Sequence, residues 1–174
     1  GPGMELFNAI KNALGEKQII AEDLGFLNDS VRKLLSDSGF PGMKVLQFAF
    51  DSREDSDYLP HNYPSNCVAY VGTHDNNTVV GWFQSAPAAD VEKARDYLRI
   101  HEGESVAKAS ICALWGSVAE LAIVPMQDLL ELDDQARMNT PSTLGSNWQW
   151  RMKPNIDLSE TSAWLRKITE LYGR

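Results

Sequence analysis

Helical and strand-like hydrophobic patterns alternate along the chain. Apolar residues at helical spacing predict helices over residues 4–14, about 28–38, 78–84, from about 90, 104–118 and 159–172. Short, nearly continuous apolar runs predict four strands, over residues 17–23, 43–50, 67–72 and 121–125. Because strands alternate with helices, we expect an α/β fold with a parallel sheet. Four such units fit a small doubly wound sheet and equally fit half of an eight-stranded barrel.

Length and charge narrow the class of protein. With 174 residues, the chain is long enough for one domain with a sizeable core. The net charge of −8 and the lack of a Lys/Arg run argue against nucleic acid and anionic membranes as partners. No apolar run approaches the ~20 residues of a membrane span. Cys67 and Cys112 lack metal-type spacing, so we expect buried free thiols in a reducing cytoplasm.

Polar clusters follow three of the predicted strands. They are Glu22 with Asp23, His74 with Asp75 and Asn76, and Gln127 with Asp128. Parallel α/β folds place their chemistry at the carboxyl ends of strands, so these clusters would share one rim in a barrel. No glycine-rich phosphate loop follows any strand, which weakens a nucleotide-binding interpretation.

Glu22 is the first candidate for acid/base chemistry. The apolar run Ile19 to Ala21 leads directly into it, so we expect a partly desolvated carboxylate at a buried strand end. General acids need such an environment. The alternative is a turn with solvated acidic side chains.

Three kinds of function remain open from spacing alone. Acids from different strands on one rim suit glycoside chemistry, in which one carboxyl protonates the leaving oxygen and a charged neighbour stabilises the transition state. Histidine with carboxylates also binds divalent metal ions. The chain has only three histidines, and His61 and His101 lie in a loop and at a helix end. A non-catalytic protein is the third possibility.

Six sequence blocks carry a family resemblance. They are IIAEDLG (19–25), PGMKVLQFAF (41–50), YLPHNY (58–63), GTHDNNT (72–78) followed by Gly81-Trp82, PMQD (125–128) and RMNTP…NWQWR (137–151). Together, and in this order, they resemble the 4-α-glucanotransferases, also called amylomaltases or disproportionating enzymes, which are relatives of the α-amylases.

The resemblance implies a TIM (β/α)₈ barrel that cleaves an α-1,4-glucan with retention and transfers the glycosyl unit to another sugar, without a cofactor. Glu22 matches the general acid/base of the family and Asp75 matches its transition-state-stabilising acid. His74 matches a residue that hydrogen-bonds the sugar, and Phe48 matches an aromatic residue of the donor site. Asn147 lies in a loop that resembles an acceptor-side loop.

Several of these roles have a simpler structural alternative. Asp75 could cap the helix that starts near Thr78. The His74 ring could bond only to backbone groups, and Phe48 could be an ordinary core residue. The stripe Ile111, Leu114, Trp115 and Val118 is expected to face the core.

The chain departs from the family in one respect. The family's nucleophile is an aspartate in an Arg-x-Asp-His block on the fourth strand, and this sequence has no such block. The first predicted strand matches the fifth strand of the family. We therefore expect residues 1–174 to be the C-terminal half of the barrel, about strands 5–8.

A half barrel would have further consequences. We expect it to be inactive alone, because a retaining mechanism needs both a nucleophile and an acid/base. We also expect it to self-associate, as a dimer or by swapping elements, because its first and last strands would present unpaired edges. The substrate would be an α-1,4-glucan, and the compartment a bacterial cytoplasm or a plastid. The alternative is a module that binds α-glucan without catalysis.

Overall fold

The computed structural model describes residues 1–25 and 27–174. These residues form seven α-helices and three strands: α1 (Met4–Leu14), α2 (Asp29–Ser38), β1 (Gly42–Val45), β2 (Cys67–Tyr70), α3 (Val79–Ser85), α4 (Ala88–Leu98), α5 (Val106–Trp115), β3 (Leu121–Ile123), α6 (Met126–Leu129) and α7 (Ser159–Tyr172). Single 3₁₀ turns cover Leu46–Phe48, Pro60–Asn62 and Asp134–Ala136.

The strands form one parallel sheet in the order β1-β2-β3. Gly42 of β1 pairs with Cys67 of β2, and Val68 of β2 pairs with Leu121 of β3. Helices α3 and α4 connect β2 to α5, which leads into β3. The prediction of an α/β fold with a parallel sheet is therefore confirmed.

The prediction of a first strand over residues 17–23 is wrong. This segment is irregular, although it runs beside β1: the Ala21 N–H donates to the Pro41 carbonyl at 2.9 Å. The Asp23 carboxylate accepts the next bond, from the Met43 N–H at 2.6 Å, and fills the space that a Cβ on Gly42 would need. A side chain thus replaces the backbone ladder that a strand requires.

The second predicted strand is shorter than its apolar run. β1 ends at Val45, and Leu46–Phe48 turns into a 3₁₀ helix. Leu46 and Phe50 are nevertheless buried, because the turn packs them into the core. The continuous apolar run over residues 43–50 therefore correctly indicated buried side chains, but it did not mean that the whole backbone is extended.

Helix boundaries follow their local capping signals. Asn28 caps α2 by accepting a bond from the Val31 N–H at 3.0 Å, and Gly39 ends the helix at φ 68°. α7 spans the predicted residues 159–172, and Gly173 follows it at φ 70°. Among the described helices, none has the length and apolar character that crossing a membrane would require.

The core lies where α5 packs between its neighbouring helices and the sheet. α5 contacts α3, α4, α6 and α7. Its residues Ile111, Leu114 and Trp115 are buried as predicted, but Val118 lies beyond the helix and is 63% exposed. The Trp115 indole N–H donates to the Thr169 hydroxyl of α7 at 3.1 Å, so the ring is buried with its polar atom satisfied.

The two cysteines differ in burial. Cys67 is buried in β2, whereas Cys112 of α5 is only partly buried, and both are free thiols. Burial raises the pKa of each thiol. The prediction of two buried thiols therefore holds for Cys67 and is too strong for Cys112.

Two carboxylates hold the N-terminus of α3. The Thr78 hydroxyl caps the helix by accepting from the Gly81 N–H at 3.1 Å. The Asp134 carboxylate accepts the Thr78 N–H at 2.9 Å, and the Asp128 carboxylate accepts the Val79 N–H at 2.7 Å. Free N–H groups at a helix start favour negative charge, so both bonds are charge-assisted.

Gly81 leaves room for the Asp134 carboxylate against the helix. A Cβ at position 81 would lie less than 3.0 Å from the carboxylate atoms. We expect Gly81→Ala to lower the free energy of unfolding by about 2 kcal/mol, because the overlap outweighs the gain of about 1 kcal/mol in helix propensity. Urea unfolding followed by circular dichroism measures this change.

A double-mutant cycle supplies the control. Asp134→Ala alone also destabilises, because it removes the carboxylate that accepts the Thr78 N–H. Gly81→Ala should cost less than about 0.5 kcal/mol in the Asp134→Ala background, because the overlap is then gone. Equal costs in the two backgrounds would contradict this explanation.

Candidate active site

A cleft opens where β2 and β3 end. Tyr70 and Ile123, the last residues of these strands, both line it, and its volume is about 290 Å³. The other walls come from the loop after β2, from α6 and from the segment after the last 3₁₀ turn. They include Thr73, His74, Gln127, Arg137 and Trp148. The cleft is thus at the strand ends where α/β proteins place ligands.

His74 and Asp75 lie side by side in the loop after β2. The His74 Nε2 atom is 3.3 Å from the Asp75 Oδ1 atom, and both side chains are about half exposed. The His74 ring also faces the Trp148 ring, with 4.9 Å between their centroids. His74 therefore has side-chain partners on two sides.

Asp75 does not cap α3, so that alternative is wrong. Thr78 is the capping residue. Asp75 is held instead by two residues far along the chain: its carbonyl accepts from the Arg137 guanidinium at 2.7 Å, and its carboxylate accepts from the Asn139 amide at 2.6 Å. The carboxylate is thereby oriented while remaining partly exposed.

Glu22 occupies a different environment from the one expected. It is exposed, on the irregular segment beside β1, and its carboxylate accepts from the Leu24 N–H at 2.9 Å. The expectation of a partly desolvated strand end is therefore wrong for this chain. The physical reason is that no described strand covers the outer side of the segment, and Ile20 beside it is 46% exposed.

Phe48 projects from the 3₁₀ turn that follows β1. Its ring makes an edge contact with Tyr58, at 5.5 Å between centroids, and remains 42% exposed. The alternative of an ordinary core residue is therefore wrong. The adjacent Gln47 is buried, and its amide donates to the Asn77 carbonyl at 2.8 Å, which ties this turn to the loop of His74 and Asp75.

Asn147 uses its amide to close its own loop. Its oxygen accepts from the Thr140 N–H at 2.9 Å, and its nitrogen donates to the Thr143 carbonyl at 3.1 Å. These bonds fix the conformation of residues 140–147. Asn147 thus lies on the same segment as Asn139 and Trp148, which contact Asp75 and His74.

Sequence reasoning missed several residues that shape the site. Arg137 and Asn139 lie in the RMN block that carries part of the resemblance. The resemblance therefore pointed to this segment but did not predict which residues these two side chains contact. Asp134 had no local signal, because its partner Thr78 is 56 residues away in the chain. Asp128, which had no assigned role, proves to hold α3.

Asp128 is a buried carboxylate beneath the cleft. Its pKa is raised to about 6, mainly by burial and to a lesser extent by the neighbouring Asp134, while the hydrogen bond from the Val79 N–H acts in the opposite direction. No group of three His, Cys, Asp or Glu residues that could hold a metal ion occurs within residues 1–25 and 27–174. The described residues therefore give the metal-dependent alternative no ligand cluster.

The raised pKa of Asp128 predicts a pH-dependent stability. The pKa of Asp128 is near 3.8 in the unfolded chain and about 6 in the folded protein, so the folded protein binds the carboxyl proton more tightly. The resulting stabilisation is complete below pH 3.8 and is lost as the pH rises through about 6. The full effect is about 3 kcal/mol. Asp128→Asn keeps an acceptor for the Val79 N–H and should be more stable than the wild type at pH 8.

Urea unfolding at pH 4, 6 and 8 tests this expectation. The free-energy difference between the variant and the wild type should grow across that range. Asp96→Asn, at an exposed position of α4, is the matched control and should change little. A difference for Asp128→Asn that stays constant from pH 4 to pH 8 would contradict the assignment.

The fold and the site define an α/β protein with carboxylates and a histidine at the ends of parallel strands. A family model described as 4-alpha-glucanotransferase, glycoside hydrolase family 77, matches residues 1–158. The chain belongs to this family. The family resemblance found in the sequence blocks is thereby confirmed.

Relatives from bacteria and plants match the chain over its whole length. A 4-alpha-glucanotransferase of Clostridium butyricum is 48% identical over 175 residues, which cover 100% of this chain and 36% of the relative. A chloroplastic/amyloplastic 4-alpha-glucanotransferase of Arabidopsis thaliana is 45% identical over 177 residues, covering 100% of this chain and 31% of the relative.

A solved structure agrees closely with the fold. The amylomaltase from Streptococcus agalactiae in complex with acarbose superposes with a TM-score of 0.94 at 42% identity, covering 100% of this chain and 35% of that chain. The chain thus spans about a third of the length of the relatives that it matches.

Proposed function

We propose that this chain is part of a 4-α-glucanotransferase that transfers a segment of an α-1,4-glucan to the 4-position of an acceptor sugar. The observation that carries the proposal is the whole-chain match to an amylomaltase in complex with acarbose. The His74–Asp75 pair beside the cleft supports it, because a carboxylate at a strand end suits glycosyl transfer.

In this proposal residues 1–174 are the C-terminal half of a (β/α)₈ barrel, about strands 5–8. The parallel sheet supports it, as does the chain's share of about a third of its relatives. The segment beside β1 would be the fifth strand, completed when another strand pairs with its open side. The protein would work in a bacterial cytoplasm or in a plastid, for which the named plant relative gives precedent.

The proposed mechanism divides the chemistry between two carboxylates and a third from elsewhere. Glu22 donates its proton to the oxygen of the leaving sugar, and Asp75 stabilises the positive charge of the oxocarbenium-like transition state. His74 hydrogen-bonds the sugar, and Phe48 forms an apolar wall of the donor site. Retention requires a nucleophilic carboxylate about 5–5.5 Å from Glu22, which the resemblance assigns to a segment outside these 174 residues.

The exposure of Glu22 supports the proposal that the chain alone is inactive. A general acid works best when its site excludes water, and the Glu22 side chain is open to solvent. The missing half would cover it and supply the nucleophile together. Catalysis would therefore need both halves.

Glucose release from maltotriose tests this function. We expect no release by the chain alone, and release when the N-terminal half of a related family member is added. Glu22→Gln should abolish the release on mixing, because no proton reaches the leaving oxygen, and Asp75→Asn should reduce it at least about 1,000-fold through lost charge stabilisation. Glu102→Gln, at an exposed site after α4, is the matched control.

Each outcome has a separate meaning. Transfer by the chain alone would contradict the proposed dependence on a second half. Release that survives Glu22→Gln would contradict the assigned acid/base.

Binding of α-glucan without catalysis is the second candidate function. The Trp148 face at the cleft is 53% exposed and offers a surface on which a sugar ring can stack. Acarbose binding that His74→Ala abolishes and His101→Ala preserves, together with no release on mixing, would favour this function.

We further propose that the chain alone self-associates. β3 is the last strand of the described sheet, and no described strand pairs with its outer edge, which leaves that edge open to another chain. Leu121 and Ile123 on β3 are 47% and 38% exposed, which adds apolar surface to that edge. A second copy of the chain would cover both features.

Analytical ultracentrifugation tests the association. We expect the wild type to form dimers, and Leu121→Glu to shift the equilibrium toward monomer by at least about tenfold, because it buries a charge in the contact. Leu144→Glu is the matched control at a fully exposed loop position and should leave the equilibrium unchanged. A monomeric wild type at high concentration would contradict the proposal.

A further inference from the structure

Residues 137–148, here called the strap, run beside the loop that carries His74 and Asp75. The strap contacts that loop at both of its ends. Arg137 and Asn139 contact Asp75 at the start of the strap, and Trp148 contacts His74 at its end. Two adjacent residues of the proposed active site are thus held by one continuous segment.

Trp148 has a backbone conformation that its side chain disfavours. Its φ is 65°, in the left-handed region that glycine adopts easily and bulky residues avoid. Two interactions hold it there: the Trp148 N–H donates to the Met138 carbonyl at 2.7 Å, and the neighbouring Asn147 amide closes the loop. Strain of this kind persists where the surrounding structure fixes it, and it is typical of functional sites.

The strained conformation has a structural result. It brings the Trp148 ring to 4.9 Å from the His74 ring, although the tryptophan is 53% exposed and contributes little burial. A glycine would satisfy the backbone better, but it could not contact His74. The cost of the strain is therefore matched by a contact with the site and not by core packing.

Asn139 acts on the other residue of the pair. Its amide nitrogen donates to Asp75 Oδ1 at 2.6 Å, the same oxygen that lies 3.3 Å from the His74 ring. Half-exposed side chains sample several rotamers unless they are held, and fixing them before the ligand arrives lowers the entropic cost of binding. Arg137 completes the arrangement by bonding the Asp75 carbonyl and the Asn77 side chain.

We propose that Asn139 and Trp148 are positioning residues that hold Asp75 and His74 in the geometry used for sugar. The strap would thus keep a strained tryptophan for function and not for stability. The contacts that position Asp75 and His74 all lie within this chain. Only their consequence for sugar binding rests on the proposed function.

The tryptophan is tested by comparing Trp148→Gly with Trp148→Ala. Both variants should move the His74 ring-proton resonances toward their positions in a free peptide, because the tryptophan ring current is lost. Trp148→Gly should have the higher melting temperature, because glycine relaxes φ 65°. Trp148→Phe should retain most of the shift, and Trp150→Ala, two residues along the same loop, should leave it unchanged.

Affinity for acarbose separates a positioning role from a structural one. Both variants should lose about two- to tenfold in affinity, equally, because each lacks the aromatic contact. If Trp148 only stabilised the loop, affinity would follow the melting temperature, and Trp148→Gly would bind more tightly than Trp148→Ala. That result would overturn the proposal for Trp148.

The asparagine is tested through its own amide resonance. Asp75→Ala should shift the Asn139 side-chain amide protons upfield, because they lose a charged acceptor, while the Asn147 amide should not move, because it bonds within its loop. Asn139→Ala should weaken acarbose binding, and Asn66→Ala, which removes an amide that bonds the Gly39 carbonyl, should not. If the Asn139 amide resonances did not shift in Asp75→Ala, the positioning role of Asn139 would be overturned.

Failure of the proposed function would be recognised separately. A wild type that does not bind acarbose would count against the sugar site alone. The His74 shifts, the Asn139 amide shifts and the order of melting temperatures would still support or overturn the positioning role of the strap.

Discussion

The carboxylates of Asp128 and Asp134 at the start of α3 are the interaction on which the site depends. Unbonded N–H groups at a buried helix end are costly, and these two acids bond the first of them. Asp134 also bonds the Asn77 side chain, so the end of the loop that carries His74 and Asp75 is fixed to the same anchor. Asp128 remains buried there even though burial disfavours its charge.

The loop of His74 and Asp75 is therefore held from three directions. Asp134 holds its end, Gln47 bonds the Asn77 carbonyl from the 3₁₀ turn after β1, and Arg137 bonds the Asp75 carbonyl from the strap. Backbone groups that are bonded on several sides cannot move independently. The His74 and Asp75 side chains can thus remain about half exposed without being randomly oriented.

Elements defined by local chemistry could be predicted from the sequence. α2 and α7 have the expected bounds because Asn28, Gly39 and Gly173 supply their end signals within a few residues. The strand expected over residues 17–23 failed for a different reason. A strand is defined by its partners, and this segment has one described neighbour, which it meets through a side chain as well as the backbone.

The site could be predicted only as far as residue identity, because its geometry depends on long-range contacts. His74 and Asp75 stood out as polar residues at a strand end, and they do lie beside the cleft. The contact between Asn139 and Asp75 spans 64 residues, and no periodicity in the sequence encodes it. The sequence also left a helix-cap role open as the alternative for Asp75, and the structure gives that role to Thr78.

The two proposed catalytic acids differ in how much of their environment this chain supplies. Asp75 already has an oriented carboxylate, which is what a residue that stabilises charge needs. Glu22 bonds only to its own turn among the described residues and is exposed, whereas a general acid needs protection from water. On the proposed function, charge stabilisation is therefore built into this part of the protein, and proton donation depends on the part that covers the segment beside β1.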